Sequence, residues 1–321
     1  MIRAAIVGLG WWGKVLVTSV QGKSQHIKFT HGVLRNPGPL AEFAATHGLM
    51  LVSDYEELLT NQEVDVVVLA TPHSLHADQV VAAARAGKHV FCEKPLAMNG
   101  ADANRAVDAC ALAGRVLAVG HNKRFWASMV ALRDVVASGT LGNILHLEGN
   151  SSNQNSGNFA AWRENPAESP GGGLMGSGIH ILDAMVSVAG PVKQVFTQLL
   201  ETRGGADPRD TLTAVLKFSN GISGTLAAVR ATPMFWRVHV FGDQGSVESL
   251  SETSLLIRRP GNVIERVDVN ATNSVLAEMD AFAHAVLGGA AFPITPSDMV
   301  GMVKTCNAIL VSAETGQSVI V

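Results

Sequence analysis

A short apolar run at the start of the chain, Ile2–Val7, leads straight into Gly8-Leu9-Gly10-Trp11-Trp12-Gly13. Three glycines at that spacing, between a strand and a helix, restrict what the chain can build. The first allows a tight turn, the second leaves the backbone open to a close neighbour, and the third lets the new helix lie against the strand it has just left. A dinucleotide pyrophosphate then fits at the helix N-terminus, where backbone N–H groups have no intrahelical partner. A chain with 32 glycines offers chance matches to this spacing, so the strand before and the helix after carry the weight.

The pattern behind the turn repeats strand and helix. Ile27–Leu34 is a second strand. Pro39–His47 reads as a helix stopped by Gly48, and Leu49–Val52 as a short strand before a helix capped by Ser53 or Asp54. Val64–Ala70 is unbroken apolar sequence, as a parallel strand covered on both faces requires. A helix over His76–Ala86 ends at Gly87, and Lys88–Cys92 is a strand. Asn99–Ala113 is a helix ended by Gly114, and Val116–Gly120 is a sixth strand. Strands separated by helices of about 10–15 residues make βαβ crossovers and a parallel sheet.

The second half is different. Ile144–Ser151, Lys193–Leu200, Thr211–Phe218, Ile222–Val229, Arg237–Phe241 and Ser254–Arg258 read as strands, with hairpin turns at Asn220-Gly221 and Gln244-Gly245. One helix, Ile179–Val188, interrupts them, and two more, Ser274–Leu287 and Ser297–Thr315, close the chain. The expected fold is α/β in its first part: an N-terminal Rossmann domain with a parallel sheet over residues 1–121. An α+β domain with a large, mostly antiparallel sheet is expected over residues 122–321. The helix over 297–315 is placed to pack back on the first domain.

Bulk properties exclude several classes. The net charge is -3 and Lys and Arg are scattered, so no nucleic-acid partner and no polybasic membrane contact is expected. No apolar run reaches the roughly 18 residues of a membrane span, and no leader pattern precedes Ile2, so a cytoplasmic protein is expected. Cys92, Cys110 and Cys306 lie far apart in apolar segments and read as reduced, buried thiols.

Ligands of a parallel sheet gather at the carboxyl ends of its strands. Gly8–Gly13, Leu34-Arg35, Thr71-Pro72-His73, Glu93-Lys94-Pro95 and His121-Asn122 all fall at such ends. This convergence sets Lys94 and His121 where a substrate meets a nicotinamide. Binders of NAD usually carry an acid about 20 residues past the glycine turn to hold the ribose 2′-OH. Here the chain reads Val33-Leu34-Arg35-Asn36, and Arg35 suits the 2′-phosphate of NADP. NADP is therefore the preferred cofactor, with NAD as the alternative. Trp11 and Trp12 either wall the cofactor pocket or pack between helix and sheet. A lysine serves as acid–base only if its pKa falls from about 10.4 toward roughly 7–8, which burial beside a cationic ring promotes. His73 and His76 are three apart, as are His180 and Asp183, but HExxH and CxxC are absent, so no metal is expected.

The series becomes specific when taken together. Thr71-Pro72-His73-Ser74-Leu75-His76 follows the glycine turn, and Ala86-Gly87-Lys88-His89-Val90-Phe91-Cys92-Glu93-Lys94-Pro95 follows that. Gly139-Thr140-Leu141-Gly142, Gly171-Gly172-Gly173 and His180-Ile181-Leu182-Asp183 complete it. In this order the pieces resemble the glucose–fructose oxidoreductase / inositol dehydrogenase / rhizopine catabolism (Gfo/Idh/MocA) family over nearly the whole chain.

The resemblance implies a Rossmann domain followed by an open-faced sheet that often forms the oligomer interface, hence a homodimer or homotetramer. It implies hydride transfer between nicotinamide and a sugar, cyclitol or related hydroxy compound. It places Thr71, Pro72, His73, His76, Glu93, Lys94 and Asn122 with the glycine turn on the cofactor side, with a cis Lys94–Pro95 bond. It makes Lys94 and His180 the catalytic pair and Asp183 a ligand of a substrate hydroxyl, beside His121. Trp162-Arg163 match a family pair, Arg163 suiting either a ligand contact or packing. The chain departs from the common Asp-x-Gly-x-His-x-x-Asp at its first acid, which is Gly176. Two other readings stand beside the dehydrogenase: a cofactor-retaining glycoside hydrolase or lyase of the same fold, and a non-catalytic dinucleotide-binding regulator.

Overall fold

The computed structural model describes residues 1–34, 36, 38–154, 162, 165, 167–200, 211–229 and 231–321. It forms two compact units, Met1–Asn122 with Asn273–Val300, and Lys123–Thr272 with Gly301–Val321. The division is not one cut in the chain: the segment Asn273–Val300 returns to the first unit.

The first unit alternates β1 (Ile2–Val7), α1 (Trp11–Val20), β2 (Ile27–Val33), α2 (Ala41–His47), β3 (Met50–Val52) and α3 (Tyr55–Thr60). It continues with β4 (Val66–Leu69), α4 (His76–Arg85), β5 (His89–Glu93), α5 (Gly100–Leu112) and β6 (Leu117–Gly120). The six strands are all parallel, in the order β3-β2-β1-β4-β5-β6. The sense of winding reverses between β1 and β4, which opens a crevice at their carboxyl ends.

Local chemistry sets the boundaries. Gly48, Gly87 and Gly114 follow helices with φ of +67°, +76° and +63°, a region glycine enters without a Cβ clash. The Asp54 carboxylate accepts the Glu56 N–H, and the Asn99 side chain accepts the Asp102 N–H, capping α3 and α5. All four side chains of β4 are buried, as a strand covered on both faces demands. Cys92, Cys110 and Cys306 are buried and outside any disulfide.

The second unit begins with α6 (Ala127–Ala137), β7 (Ile144–Gln154) and α7 (Ile179–Ala189), the last entered through a π-helical turn at Leu174–Gly178. Then come β8 (Val192–Leu200), β9 (Thr211–Phe218), β10 (Ser223–Ala228), β11 (Ala231–Gly242), β12 (Gly245–Ser249), β13 (Ser254–Arg259) and β14 (Val263–Asp268). The helix Ser274–Val286 is α8, Pro296–Thr315 is α9, and Val319–Ile320 is β15. Nine strands form one sheet in the order β14-β13-β12-β11-β7-β10-β9-β8-β15, antiparallel except where β10 runs parallel to β7.

Alternation sets which face is covered. In β9, Leu212, Ala214, Leu216 and Phe218 are buried while the residues between them are accessible. That buried face packs with α6, α7 and α9 around Met129, Leu147, Met185, Val240 and Ile309. Glycines let α7 lie close: a Cβ on Gly149 would sit 2.2 Å from Ile181 Cγ2, and one on Gly224 2.7 Å from Met185 Cε. The opposite face carries Phe196, Val215 and Phe235 exposed.

The structure adds α6, β12, β14 and β15 to the expected elements and lengthens β7 and β11. It also gives α8 to the first unit, where Phe282 lies edge-on to Phe91 with ring centroids 5.6 Å apart. The buried stripe Val275, Met279, Phe282 would look the same whichever core it filled.

Candidate active site

The glycine turn shows three different needs. Gly8 has φ of +94°, and an added Cβ would lie 2.5 Å from the Ala70 carbonyl oxygen. A Cβ on Gly13 would lie 2.0 Å from the Gly8 carbonyl oxygen, so the first turn of α1 rests directly on the main chain of the turn. A Cβ on Gly10 would meet nothing within 4 Å. Gly10 is also the N-cap of α1, with no side-chain cap and no acid in the first turn. The N-terminal N–H groups of α1 therefore face open space beside backbone that no side chain fills, which fits a pyrophosphate. Trp11 is 77% exposed, whereas Trp12 is half-buried, its buried Nε1 without a hydrogen-bond partner among the described residues. Leu34 is half-buried past β2, its N–H donating to the Val52 carbonyl. Arg35 lies outside the described residues.

The other strand ends of this unit are tied to one another. Past β4, the Thr71 hydroxyl donates to Gln79 Oε1 at 2.6 Å. His73 is buried, and Pro72 precedes it as the cap of a short 3-10 turn. His76 is fully buried, with Nδ1 2.7 Å from the Pro95 carbonyl and Nε2 3.0 Å from the Thr71 carbonyl. Both ring nitrogens thus face main-chain acceptors, and the side chain links the loop after β4 to the loop after β5. The Lys94–Pro95 bond is cis. Glu93 is buried at the end of β5, accepts the Lys94 N–H at 3.3 Å, and lies so close to Gly120 that an added Cβ there would be 2.7 Å from Glu93 Oε1. Lys94 is half-buried. His121 is buried past β6, and its N–H donates to Glu278 on α8.

The second unit holds the remaining expected residues. His180 and Asp183 occupy the first turns of α7, 9% and 1% exposed. The Asp183 carboxylate is bound by Arg124, at 2.6 Å from Nη2 and 3.1 and 3.2 Å from Nε. This pair is buried on both sides, and removing one partner of such a pair typically costs about 3–5 kcal/mol. The side chain implied as a hydroxyl ligand is thus held by a neighbouring guanidinium. Arg133 donates to the Arg124 carbonyl, and burial, then the Arg124 charge, lowers its pKa. Lys123 Nζ stands 4.6 Å from the Trp236 ring centre and 5.1 Å from that of Trp126. Gly171 and Gly172 both have positive φ, and Gly176 lies on the π-helical turn ahead of His180. Trp162 is half-buried. Arg163 lies outside the described residues.

Two partnerships have no local signal in the sequence. The tie from Glu278 to His121 spans 157 residues, and no local pattern marks it. Arg124 carried no motif that would match it to Asp183.

Among the described residues no group of three or more His, Cys, Asp or Glu side chains is arranged to hold a metal ion, and no helix is long and apolar enough to cross a membrane.

A parallel sheet with a glycine cradle at its switch point is the architecture of a dinucleotide-binding protein. Residues 2–121 match the model described as "Oxidoreductase family, NAD-binding Rossmann fold", and residues 129–248 match the GFO/IDH/MocA C-terminal domain. The chain belongs to the Gfo/Idh/MocA oxidoreductase family. It is 30% identical to D-xylose 1-dehydrogenase (NADP(+)) 2 of Haloferax volcanii, over 83% of each chain. It is 28% identical to myo-inositol 2-dehydrogenase of Thermotoga maritima, over 80% of this chain and 78% of that protein. Among the first curated relatives the matched stretch spans from 60% to 86% of their length. In fold it is similar to levoglucosan dehydrogenase in complex with NADH and L-sorbose, with a TM-score of 0.89, 23% identity, and coverage of 100% of this chain and 98% of that one.

Gly13→Ala is expected to push α1 off the Gly8 carbonyl, at about 1–3 kcal/mol, and to weaken NAD(P) binding at least about tenfold. Titration of cofactor fluorescence checks this, and unchanged affinity in a folded variant would refute the cradle.

Proposed function

We propose that this oxidoreductase moves hydride between a nicotinamide and a hydroxyl-bearing carbon of a sugar, cyclitol or related polyol. The observation that carries the reading is the set of strand ends in the first unit. The glycine cradle, the Thr71–His76 loop, Glu93-Lys94-Pro95 and His121-Asn122 all stand at carboxyl ends of one parallel sheet, where ligands of such sheets bind. The xylose and inositol dehydrogenases related to this chain support the substrate class.

The bound nicotinamide supplies the hydride acceptor or donor. The chain supplies the proton chemistry. With the nicotinamide as hydride acceptor, an unprotonated Lys94 Nζ would take the hydroxyl proton as the alcohol carbon becomes a carbonyl. Reduction runs the same transfer backwards. His76 and Glu93 hold the two ends of the loop that carries Lys94, through the Pro95 carbonyl and the Lys94 N–H. In the first unit His121 is a substrate contact; in the second unit His180 is the second acid–base group, with Trp162 and Arg163 as that unit's substrate-side residues. Asp183 acts through Arg124, its partner in the second unit. Arg35, in place of an acid after β2, selects NADP by pairing with the 2′-phosphate. The enzyme works in the cytoplasm as a homodimer or homotetramer through the open face of the nine-stranded sheet. Phe196 and Val215, cross-strand partners in register, leave apolar surface there.

Lys94→Ala is expected to lower turnover by about 10²–10⁴ while cofactor affinity stays close to that of the parent enzyme. Stopped-flow measurement at the nicotinamide absorbance band over a panel of sugars and cyclitols tests it, and near-normal turnover would remove Lys94 from the chemistry. NADP should bind at least about tenfold tighter than NAD; the reverse order by calorimetry ends the case for Arg35. Light scattering should give a mass of two or four chains, and a monomer at working concentration would refute assembly through the sheet.

A further inference from the structure

β6 is an edge strand of the six-stranded sheet, so one side of its backbone has no ladder partner. His121 is the first residue past it and is buried, so its main-chain N–H needs an acceptor away from water. Glu278 provides one, its carboxylate accepting that N–H. Glu278 is wholly buried on α8. A carboxylate out of water is costly unless hydrogen bonds compensate it, and an apolar residue of the same size would fill this space without that cost.

The neighbours of Glu278 on the helix point to the same place. Positions 274, 278 and 282 share one face of α8. Ser274 Oγ lies 3.5 Å from the Asn122 side-chain nitrogen, and Phe282 stacks edge-on against Phe91 of β5. One stripe of α8 thus meets β5, His121 and Asn122 in turn.

We propose that Glu278 is a positioning residue for the reaction: it fixes the backbone at His121 and so aims the His121 and Asn122 side chains. The proposal rests on the reading that His121 and Asn122 face substrate and cofactor. A buried backbone N–H that loses its acceptor keeps the full desolvation cost, so the Glu278 carboxyl oxygen holds this N–H firmly in place. A misplacement near 1 Å at such a site can cost on the order of a hundredfold in rate.

The test compares Glu278→Met, which keeps the volume and removes the acceptor, with Glu278→Gln, which keeps a neutral acceptor oxygen. At a temperature where circular dichroism shows each variant folded, Glu278→Met should lose at least about tenfold in kcat/KM. Its primary deuterium isotope effect should rise, because hydride transfer becomes slower relative to binding. Glu278→Gln should fall between Glu278→Met and the parent enzyme on both readouts, and it alone decides the matter if Glu278→Met does not fold. A residue that merely stabilises the fold would lower Tm and leave kcat/KM of the folded enzyme and the isotope effect unchanged; that result overturns the proposal. His121→Ala and Asn122→Ala separate the two failures. If both keep full kcat/KM, the site reading is wrong. If they lose it while the Glu278 variants do not, the positioning role is wrong.

Discussion

The first unit depends on one contact between main-chain segments, the first turn of α1 lying on the Gly8 carbonyl at Gly13. Any side chain at position 13 would occupy that carbonyl's space. The contact sets the angle at which α1 leaves the sheet and therefore where its uncapped N–H groups point. Gly8 makes the turn possible by a positive φ and by passing close to the Ala70 carbonyl at the end of β4. The cradle is thus built across the switch point, with β1 and β4 as its two walls. Its affinity for anions comes from geometry rather than from any charged side chain within the turn.

From that cradle outward, side chains rather than glycines tie the strand ends. His76 spans two loops by its ring nitrogens, Glu93 accepts the Lys94 N–H, and Glu278 reaches His121 from far along the chain. Each uses a buried polar group to satisfy backbone that the regular ladder leaves unpaired. Such groups are costly unless satisfied, so they specify position strongly. The Cys92 thiol, one residue before Glu93, is pushed up by burial and then by the Glu93 charge, so it stays a packing group beside the site.

The elements legible in the sequence are those with local causes. The stops at Gly48, Gly87 and Gly114, the cap at Asp54 and the strand Thr211–Phe218 each need only a few neighbouring residues. The elements it hides lack such causes. α6 opens on Trp126 with no side-chain cap, β14 is almost wholly exposed and shows no alternation, and β15 is a two-residue strand. The site divides the same way. Gly8–Gly13 and the strand ends follow from spacing and topology. The partnership of Arg124 with Asp183 and the reach of Glu278 depend on which cores α7 and α8 join, which periodicity does not encode.

That partnership changes the electrostatics of α7. Between Leu174 and Ala189 the only ionisable side chains are His180 and Asp183, with Gly176 where the family pattern often carries an acid. Asp183 is neutralised at close range by Arg124 and shielded from water. A histidine beside an unpaired buried carboxylate would be drawn toward its charged form. Here the nearest carboxylate on the helix already balances a guanidinium, and the acid that would sit one turn before the histidine is a glycine. The Asp183 charge is thus balanced within its own pair, and between Leu174 and Ala189 no other carboxylate stands on the helix. Gly176 in place of that acid leaves the Arg124–Asp183 pair as the ion pair that α7 carries.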